Sequence, residues 1–482
     1  MGEVYTDTTR PMLEKIPPQP SKKLKQYLAT SSVSMGAFCA GTTLSWTSPA
    51  LTHILVLNNT NTTNSTDSFT SSPGFTITHN ESAIVGSMLT LGALISAIPV
   101  GYLADKYGRK VTVLSLSMLF LLNYVLLAFS VNLQMVIVAR LLAGVGLGGI
   151  CVVGPMYIGE ITEASNRGTL VSFFQLFLAS GILFACVVGS FTTWVGLAFL
   201  LGLPAIIFGA SFVFMPESPV FLLSKNRVKE AEANLIELRG SVYNVAAELK
   251  EMDDQLMESQ RKQASLKDLV ADRGNLRALI SVVGVLSFLQ LSGINALVFY
   301  TVTIFEAAGT SISPFISAII MNLAQVCVSY LATLVIEKAG RKFFLMLSST
   351  GMMLCLAALG MFFHLKMLSI NMGTFMSFLP LAATILFMCF LSLGYGPVTW
   401  MLLSELFAPE IKGIASGIGI LANWGCAFLV TFSFPLLNVA LGRHVTFYIL
   451  AGIMASATVF VHYVVPETRG KSLAQIQQEL NR

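Results

Sequence analysis

The sequence predicts an all-α membrane protein of twelve transmembrane helices, arranged as two parallel six-helix repeats. Three observations carry that reading. Charged residues make up 11% of the chain, under half of the roughly 25% usual in soluble proteins, and the mean hydropathy is +0.73. Apolar runs able to cross a bilayer, which takes about 20 helical residues, recur along the whole length. Short polar motifs recur between the first and second set of runs at a nearly fixed offset. A formal net charge of +4 is too small to point to nucleic acid, so where the charges lie matters more than their sum.

The runs fall at 31–55, 83–104, 111–130, 133–156, 170–192, 195–215, 279–304, 314–336, 343–363, 375–403, 414–437 and 446–465. A charged segment separates the first six from the last six. The chain thus divides into a tail (1–30), a first six-helix half (31–215), a helical linker (216–278), a second half (279–465) and a tail (466–482). A polar stretch ahead of the first run predicts no cleaved secretory signal, and its Pro17, Pro18 and Pro20 suit disorder. With the N-terminus inside, every Lys and Arg except Arg140, Lys366 and Arg443 falls in an inside segment. Such a bias predicts both termini in the cytoplasm and suits the plasma membrane. The first outside loop agrees, because Asn58, Asn61, Asn64 and Asn80 each open an Asn-X-Ser/Thr glycosylation sequon.

In the first run, Gly36, Gly41 and Trp46-Thr47-Ser48-Pro49 suggest a kinked helix packed closely on its neighbours. Arg140 is the one basic residue deep within a run; burying it is costly, so it needs carbonyls or a Glu160-type partner near the inside end. Gly144 and Gly148 allow close helix approach there. All seven cysteines fall in runs, without disulfide or metal spacing, and read as small packing residues. The linker carries Leu235, Leu238 and Val242 on one face of an amphipathic helix, and its basic residues suit the cytoplasmic side and anionic headgroups.

The duplication rests on three motif pairs. Asp105-X-X-Gly-Arg109-Lys matches Glu337-X-X-Gly-Arg341-Lys, Glu160 with Arg167 matches Glu405 with Lys412, and Pro216-Glu-Ser matches Pro466-Glu-Thr. The glycine permits a tight turn at φ > 0, and the arginine can reach a carboxylate or helix carbonyls. Parallel six-helix repeats with a site at their shared midplane describe transporters. Asp105, Arg109, Arg140, Glu160, Arg167, Glu337, Arg341, Glu405 and Lys412 are then expected at a cytoplasmic gate. Their ion pairs would close it in one state and separate in the other; the plainer alternative is that these charges only hold short loops inside.

The seventh run contains Leu289-Gln290-Leu291-Ser292-Gly293-Ile294-Asn295. A primary amide in hydrocarbon without partners costs roughly 2–7 kcal/mol, so Gln290 and Asn295 must face other helices or a wet cavity. Five residues apart, they lie about 140° apart on an ideal helix. Serving one site needs a wide face or a loosened turn at Ser292-Gly293. Gln175, Gln325, Trp400 and Asn423 are the other membrane-depth candidates. Each amide serves equally well as inter-helix glue, worth about 0.6 kcal/mol.

These motifs, with Arg140 before Gly144, Gly146 and Gly148, resemble the sugar porters of the major facilitator superfamily over nearly the whole chain. Trp46-Thr47-Ser48-Pro49-Ala50 resembles the insect trehalose transporters and class III glucose transporters. The resemblance implies the major facilitator fold and a sugar as small-molecule partner, with no cofactor, metal or obligate protein partner. It implies substrate contacts at Gln175, Gln290, Asn295, Gln325, Trp400 and Asn423, room at Gly396, and an outer lid at Phe299 and Tyr300. A sugar offers many hydroxyls and an apolar ring face, which uncharged amides and an aromatic platform suit. The chain departs from the pattern at Leu289, where a second Gln is usual, and at Ser392, where several glucose carriers have an acid. It departs also at Glu163, Thr399 and Lys412. Leu289 and Ser392 make the pocket less polar and leave another sugar or a polyol open.

Proton symporters of this kind use an acid in the first span, where this chain has Thr47, and a carboxylate is the usual proton carrier at membrane depth. Facilitated diffusion of trehalose or a hexose is therefore expected. His462 reads as structural. Proton-coupled symport is the alternative, as is a non-transporting nutrient sensor, although only a short tail follows Pro466. No nucleophile–base pair or metal set suggests an enzyme.

Overall fold

In the computed structural model the described residues are 23–59, 75, 77–163, 166–240, 243–261, 269, 272–309, 312–335, 340–370, 374–407, 409–469, 471 and 473–481. Among them the regular structure is helical throughout, without a strand. Eleven helices are long and apolar enough to cross a membrane. In place of the first expected run stands α1, a 36-residue helix over Leu24–Asn59 that starts inside the expected tail. After it come α2 (His79–Tyr107), α3 (Arg109–Ala128), α4 (Leu133–Ile161), α5 (Arg167–Gly189) and α6 (Trp194–Phe212). Polar caps start several of these at the edge of the apolar zone, where the first backbone N–H groups would otherwise lack acceptors. Thr78 and Glu81 form a reciprocal capping box on α2, Asn132 caps α4 and Thr193 caps α6.

Among the described residues of the linker stand α7 (Pro219–Ser224), α8 (Val228–Arg239) and α9 (Val245–Arg261). The second set comprises α10 (Arg273–Leu291), α11 (Ile294–Phe299), α12 (Thr301–Ala308), α13 (Pro314–Val335), α14 (Arg341–Met367), α15 (Leu379–Leu393), α16 (Tyr395–Glu405), α17 (Pro409–Ala440) and α18 (Arg443–Val464). The seventh and tenth expected runs are thus broken helices. Beyond them, α19 (Leu473–Asn481) occupies most of the expected C-terminal tail. It buries Ile476 and Leu480 against α10, and Arg277 donates to the Leu480 carbonyl at 2.8 Å.

Within the first set, α1 packs on α5, and α2 and α3 pack on α4. Small residues let the backbones touch, as membrane helices without a hydrophobic drive between them require. A Cβ on Gly144 would lie 2.1 Å from the Leu89 carbonyl oxygen, and one on Gly148 2.6 Å from that of Ala93. The expected close approach at these glycines is present. The second set repeats the scheme, with α14 on α18 and α10 on α17. The two sets meet where α2 packs on α17, α5 on α13, and α1 on α11 and α12.

Polar contacts across that boundary cluster on the side away from the linker. Thr90 and Thr431 share a hydroxyl bond of 3.0 Å, the Val302 amide donates to Ser48 at 3.1 Å, and Asn322 donates to the Cys186 sulfur at 3.2 Å. On the linker face, a Cβ added at Gly159, Gly168, Gly413 or Gly417 would meet nothing within 4 Å. The two sets are bonded at the far face, and the surroundings of these four linker-face glycines are open.

The linker is latched to the first set. Buried Arg239 donates to the Ile161 carbonyl at 2.7 Å, pairs with Glu248 at 2.7 Å and lies 3.7 Å from Glu163. Leu235 and Leu238 are buried as expected; Val242, the N-terminal Pro17, Pro18 and Pro20, and Asn61 and Asn64 lie outside the described residues. The cysteines are free thiols, but they are not uniformly buried, because Cys327 is exposed. His462 stacks edge-on against Tyr463, and its carbonyl accepts from Lys342 at 2.6 Å. Arg239→Ala strands the Glu248 carboxylate and should cost about 2 kcal/mol. An unchanged melting temperature in detergent would show that the latch bears no load.

Candidate functional site

Gly293 makes the centre possible. It sits between α10 and α11 at φ +85°, ψ 13°, a left-handed conformation that costs residues with a Cβ roughly 1–2 kcal/mol. The turn abolishes the 140° separation of an ideal helix, so Asn295 Nδ2 donates to Gln290 Oε1 at 2.6 Å. Gln290 Nε2 in turn donates to Asn423 Oδ1 on α17 at 2.9 Å. Three buried amides from α10, α11 and α17 therefore form one chain at membrane mid-depth, as the loosened turn expected from the sequence requires.

Around this chain the other candidates are placed unevenly. Gln325, midway along α13, is buried with its Oε1 lacking any partner. Gln175 on α5 is exposed, about 12 Å from that helix's linker-face end at 1.5 Å per residue. Trp400 on α16 is 39% exposed. Leu289 is buried, and Ser392 is buried within 3.3 Å of Ser329. A Cβ built on Gly396 would meet only the Leu391 carbonyl of the preceding turn, at 3.2 Å, and no other residue within 4 Å.

Phe299 and Tyr300 lie at the α11–α12 junction and are buried. The Tyr300 hydroxyl donates to the Thr431 carbonyl at 3.4 Å, and its ring stacks on Phe434 at 5.7 Å. A Cβ on Gly86 of α2 would stand 2.6 Å from that hydroxyl, so a larger residue there would push the tyrosine's tip away from the first set.

At the linker face the duplicated motifs form two similar clusters. Arg109 grips Glu160 with two bonds, 2.8 Å from Nη2 and 2.9 Å from Nε, and reaches Asp105 at 3.0 Å. Arg341 reaches Glu405 at 3.1 Å, which also accepts from Thr468 at 2.6 Å. Glu217 accepts the backbone N–H groups of Arg109 and Lys110 at 3.0 and 3.1 Å, and Glu467 accepts those of Arg341 and Lys342 at 2.9 and 3.2 Å. Burial pushes the Glu217 carboxyl up even though these N–H groups pull it down. Gly108 and Gly340 lack the Cβ that would strike the carboxylates, yet only Gly108 has the expected positive φ, +106°. The sequence pairs the two acids but gives them no role, because acceptance by backbone N–H leaves no side-chain signature.

Among the described residues these ion pairs run within each set rather than between sets. Lys412 is exposed, and Glu337 and the Arg167 side chain lie outside the described residues. Arg140 does not belong at this face. It lies eight residues into α4, about 30 Å along that helix from Glu160, and donates to the Thr43 carbonyl at 2.9 Å and the Thr47 hydroxyl at 2.8 Å. The carbonyl matches the expectation, and among the described residues no Glu160-type partner meets Arg140.

The family model for sugar (and other) transporters matches residues 20–480. The chain is 34% identical to the facilitated trehalose transporter Tret1 of Aedes aegypti, over 99% of this chain and 57% of that protein. It is 34% identical to that of Bombyx mori over 94% and 86%. It thus spans little more than half the length of the mosquito relative. Among solved structures, the xylose transporter XylE of E. coli in a partially occluded inward-open conformation superposes with a TM-score of 0.76. Identity there is 21%, covering 93% of this chain and 99% of the other. A second structure, described as a major facilitator superfamily proton:xylose symporter bound to 6-bromo-6-deoxy-D-glucose, gives 0.73 at 22% identity, over 94% and 99%. The fold is the major facilitator fold.

Two substitutions test the geometry. Gly293→Ala should strain the turn and press on Leu450, 2.8 Å from a built Cβ, costing about 2 kcal/mol; a melt identical to the parent would contradict a required left-handed turn. Gly86→Ala should hold Tyr300 off the first set, raising the far-face labelling rate of a Thr90→Cys reporter about tenfold. Equal labelling in both backgrounds would show that the tyrosine does not close that face.

Proposed function

The chain belongs to the family of sugar and other transporters, and from that premise we propose that it carries a sugar, trehalose or a hexose, by facilitated diffusion through alternating access. The observation that carries the reading is the buried amide chain Asn295–Gln290–Asn423. Amides both donate and accept, as sugar hydroxyls do. A sugar arriving among them exchanges amide–amide bonds for amide–hydroxyl bonds at little net cost, since each is worth only about 0.5–1.5 kcal/mol. Gln325 offers a free acceptor, Gln175 an exposed amide, and Trp400 an exposed face for the ring. Buried Leu289 and the Ser392–Ser329 pair trim the polarity of the pocket and favour a substrate with fewer hydroxyl contacts on that side. The names of the relatives support trehalose; the sugar-bound neighbour supports a monosaccharide-sized site.

Uniport follows from the surroundings of Arg140. Its side-chain partners are a carbonyl and the Thr47 hydroxyl, and neither carries a proton across. The bonds that join the two sets at the far face, Thr90–Thr431, Ser48–Val302 and Asn322–Cys186, are neutral. They can break and re-form with substrate binding as the only drive. In this reading residues 31–215 and 279–465 rock against one another about the linker at 216–278. Phe299 and Tyr300 act as the far-face lid, and the Arg109–Glu160 and Arg341–Glu405 clusters stiffen each half at the other gate. The linker face, which gathers the basic residues, is cytoplasmic with both termini, and the membrane is the plasma membrane. Asn58, Asn61, Asn64 and Asn80 are the glycosylation sites on the opposite side; Asn80 is exposed in the first turn of α2.

The test is uptake by proteoliposomes against a panel of labelled trehalose, hexoses, pentoses and polyols. Uptake should reach but never exceed the outside concentration and should be unmoved by a protonophore. Gln290→Leu, which strands both partner amides, should lower uptake about tenfold. Concentrative uptake abolished by the protonophore would establish symport instead. Binding without uptake of any solute would establish a sensor.

A further inference from the structure

Arg140 is fully buried, and among the described residues no carboxylate pairs with it. Its two terminal nitrogens are committed to Thr43 and Thr47, while its Nε has no partner. The guanidinium carbon lies 4.9 Å over the ring of Trp46, itself 1% exposed, and the Trp46 indole N–H is likewise without a partner. Trp46 packs edge-on against Trp194 at 5.1 Å, but the Trp194 N–H is used, donating to the Leu127 carbonyl at 3.0 Å. Two neighbouring buried side chains thus hold one formal positive charge and two unused donors.

We propose that this pair holds a small monovalent anion, with chloride as the best fit. Carbonyl and hydroxyl dipoles and an aromatic face soften the burial of a cation but do not neutralise it, and an arginine cannot shed its proton. Both spare groups are donors, so an acceptor is needed. A water molecule fits poorly, because it must also give away its own protons. A halide accepts N–H bonds from several directions and supplies the missing charge. The position ties it to the rest of the molecule, because Thr47 adjoins Ser48, which accepts the Val302 amide from the second set.

The test uses the full-length chain in detergent and needs no sugar. Melting temperature is measured in sodium chloride and sodium bromide against sodium gluconate at constant ionic strength. Halide should raise it along a saturating curve by about 2 °C or more. Trp46→Phe keeps the ring and removes the N–H, and should at least halve that rise. Thr47→Asp places a fixed carboxylate beside the guanidinium and should remove the halide response. Identical melting of the parent in gluconate and chloride would overturn the proposal. So would an undiminished response in Trp46→Phe, which decides the matter if Thr47→Asp does not fold.

Discussion

Inside a bilayer a polar side chain has no water to fall back on, and that constraint organises the middle of this protein. Gln290, Asn295 and Asn423 solve it for one another, but only because the chain turns left-handed at Gly293. A continuous helix would leave Asn295 pointing away from Gln290, with each amide in need of another partner. The break therefore has two results at once. It satisfies the amides, and it divides the seventh span into an inner piece, α10, and outer pieces, α11 and α12, that can pack differently. Tyr300 sits at the second joint of that broken span, so the residues proposed to hold a sugar and the residue proposed to cover it are a few peptide units apart.

The same constraint, met with charges, governs the linker face. Glu217 and Glu467 accept backbone N–H groups at the starts of α3 and α14, where helix ends leave donors free and the dipole favours an anion. Arg109 and Arg341 then reach the acids that end α4 and α16. Each set is thereby bound at its linker-face rim by its own charges, while the hydrogen bonds that join the sets among the described residues, Thr90–Thr431, Ser48–Val302 and Asn322–Cys186, are neutral and lie toward the other face. Strong bonds within rigid bodies and weak bonds between them are what a rocking motion requires.

Much of this is legible in the sequence, for physical reasons. Hydrophobic thickness fixes span length, so eleven of the expected spans stand where the runs fall. The offset between Glu160 and Glu405 survives because both keep an arginine partner. Gln290 and Asn295 stand out because amides are expensive in lipid. What the sequence hides is direction. Arg140 is read toward the wrong end of α4, because composition says that a charge needs partners without saying where they are. Arg239 is hidden for a related reason: a basic residue in a charged linker looks solvated until tertiary packing buries it. Cys327 shows the converse, since a thiol in an apolar run is as compatible with lipid as with a core.

The docking of α19 has a practical side. Because Ile476 and Leu480 seat it on α10 and Arg277 holds its last turn, this short helix is a handle on the span that carries Gln290. A fluorescent protein or affinity resin attached there hangs its weight from that span, whereas cargo placed ahead of α1 hangs from a helix latched to the linker through Lys25 and Gln26. For immobilising the molecule without disturbing its central amides, the N-terminal side is the better anchor point.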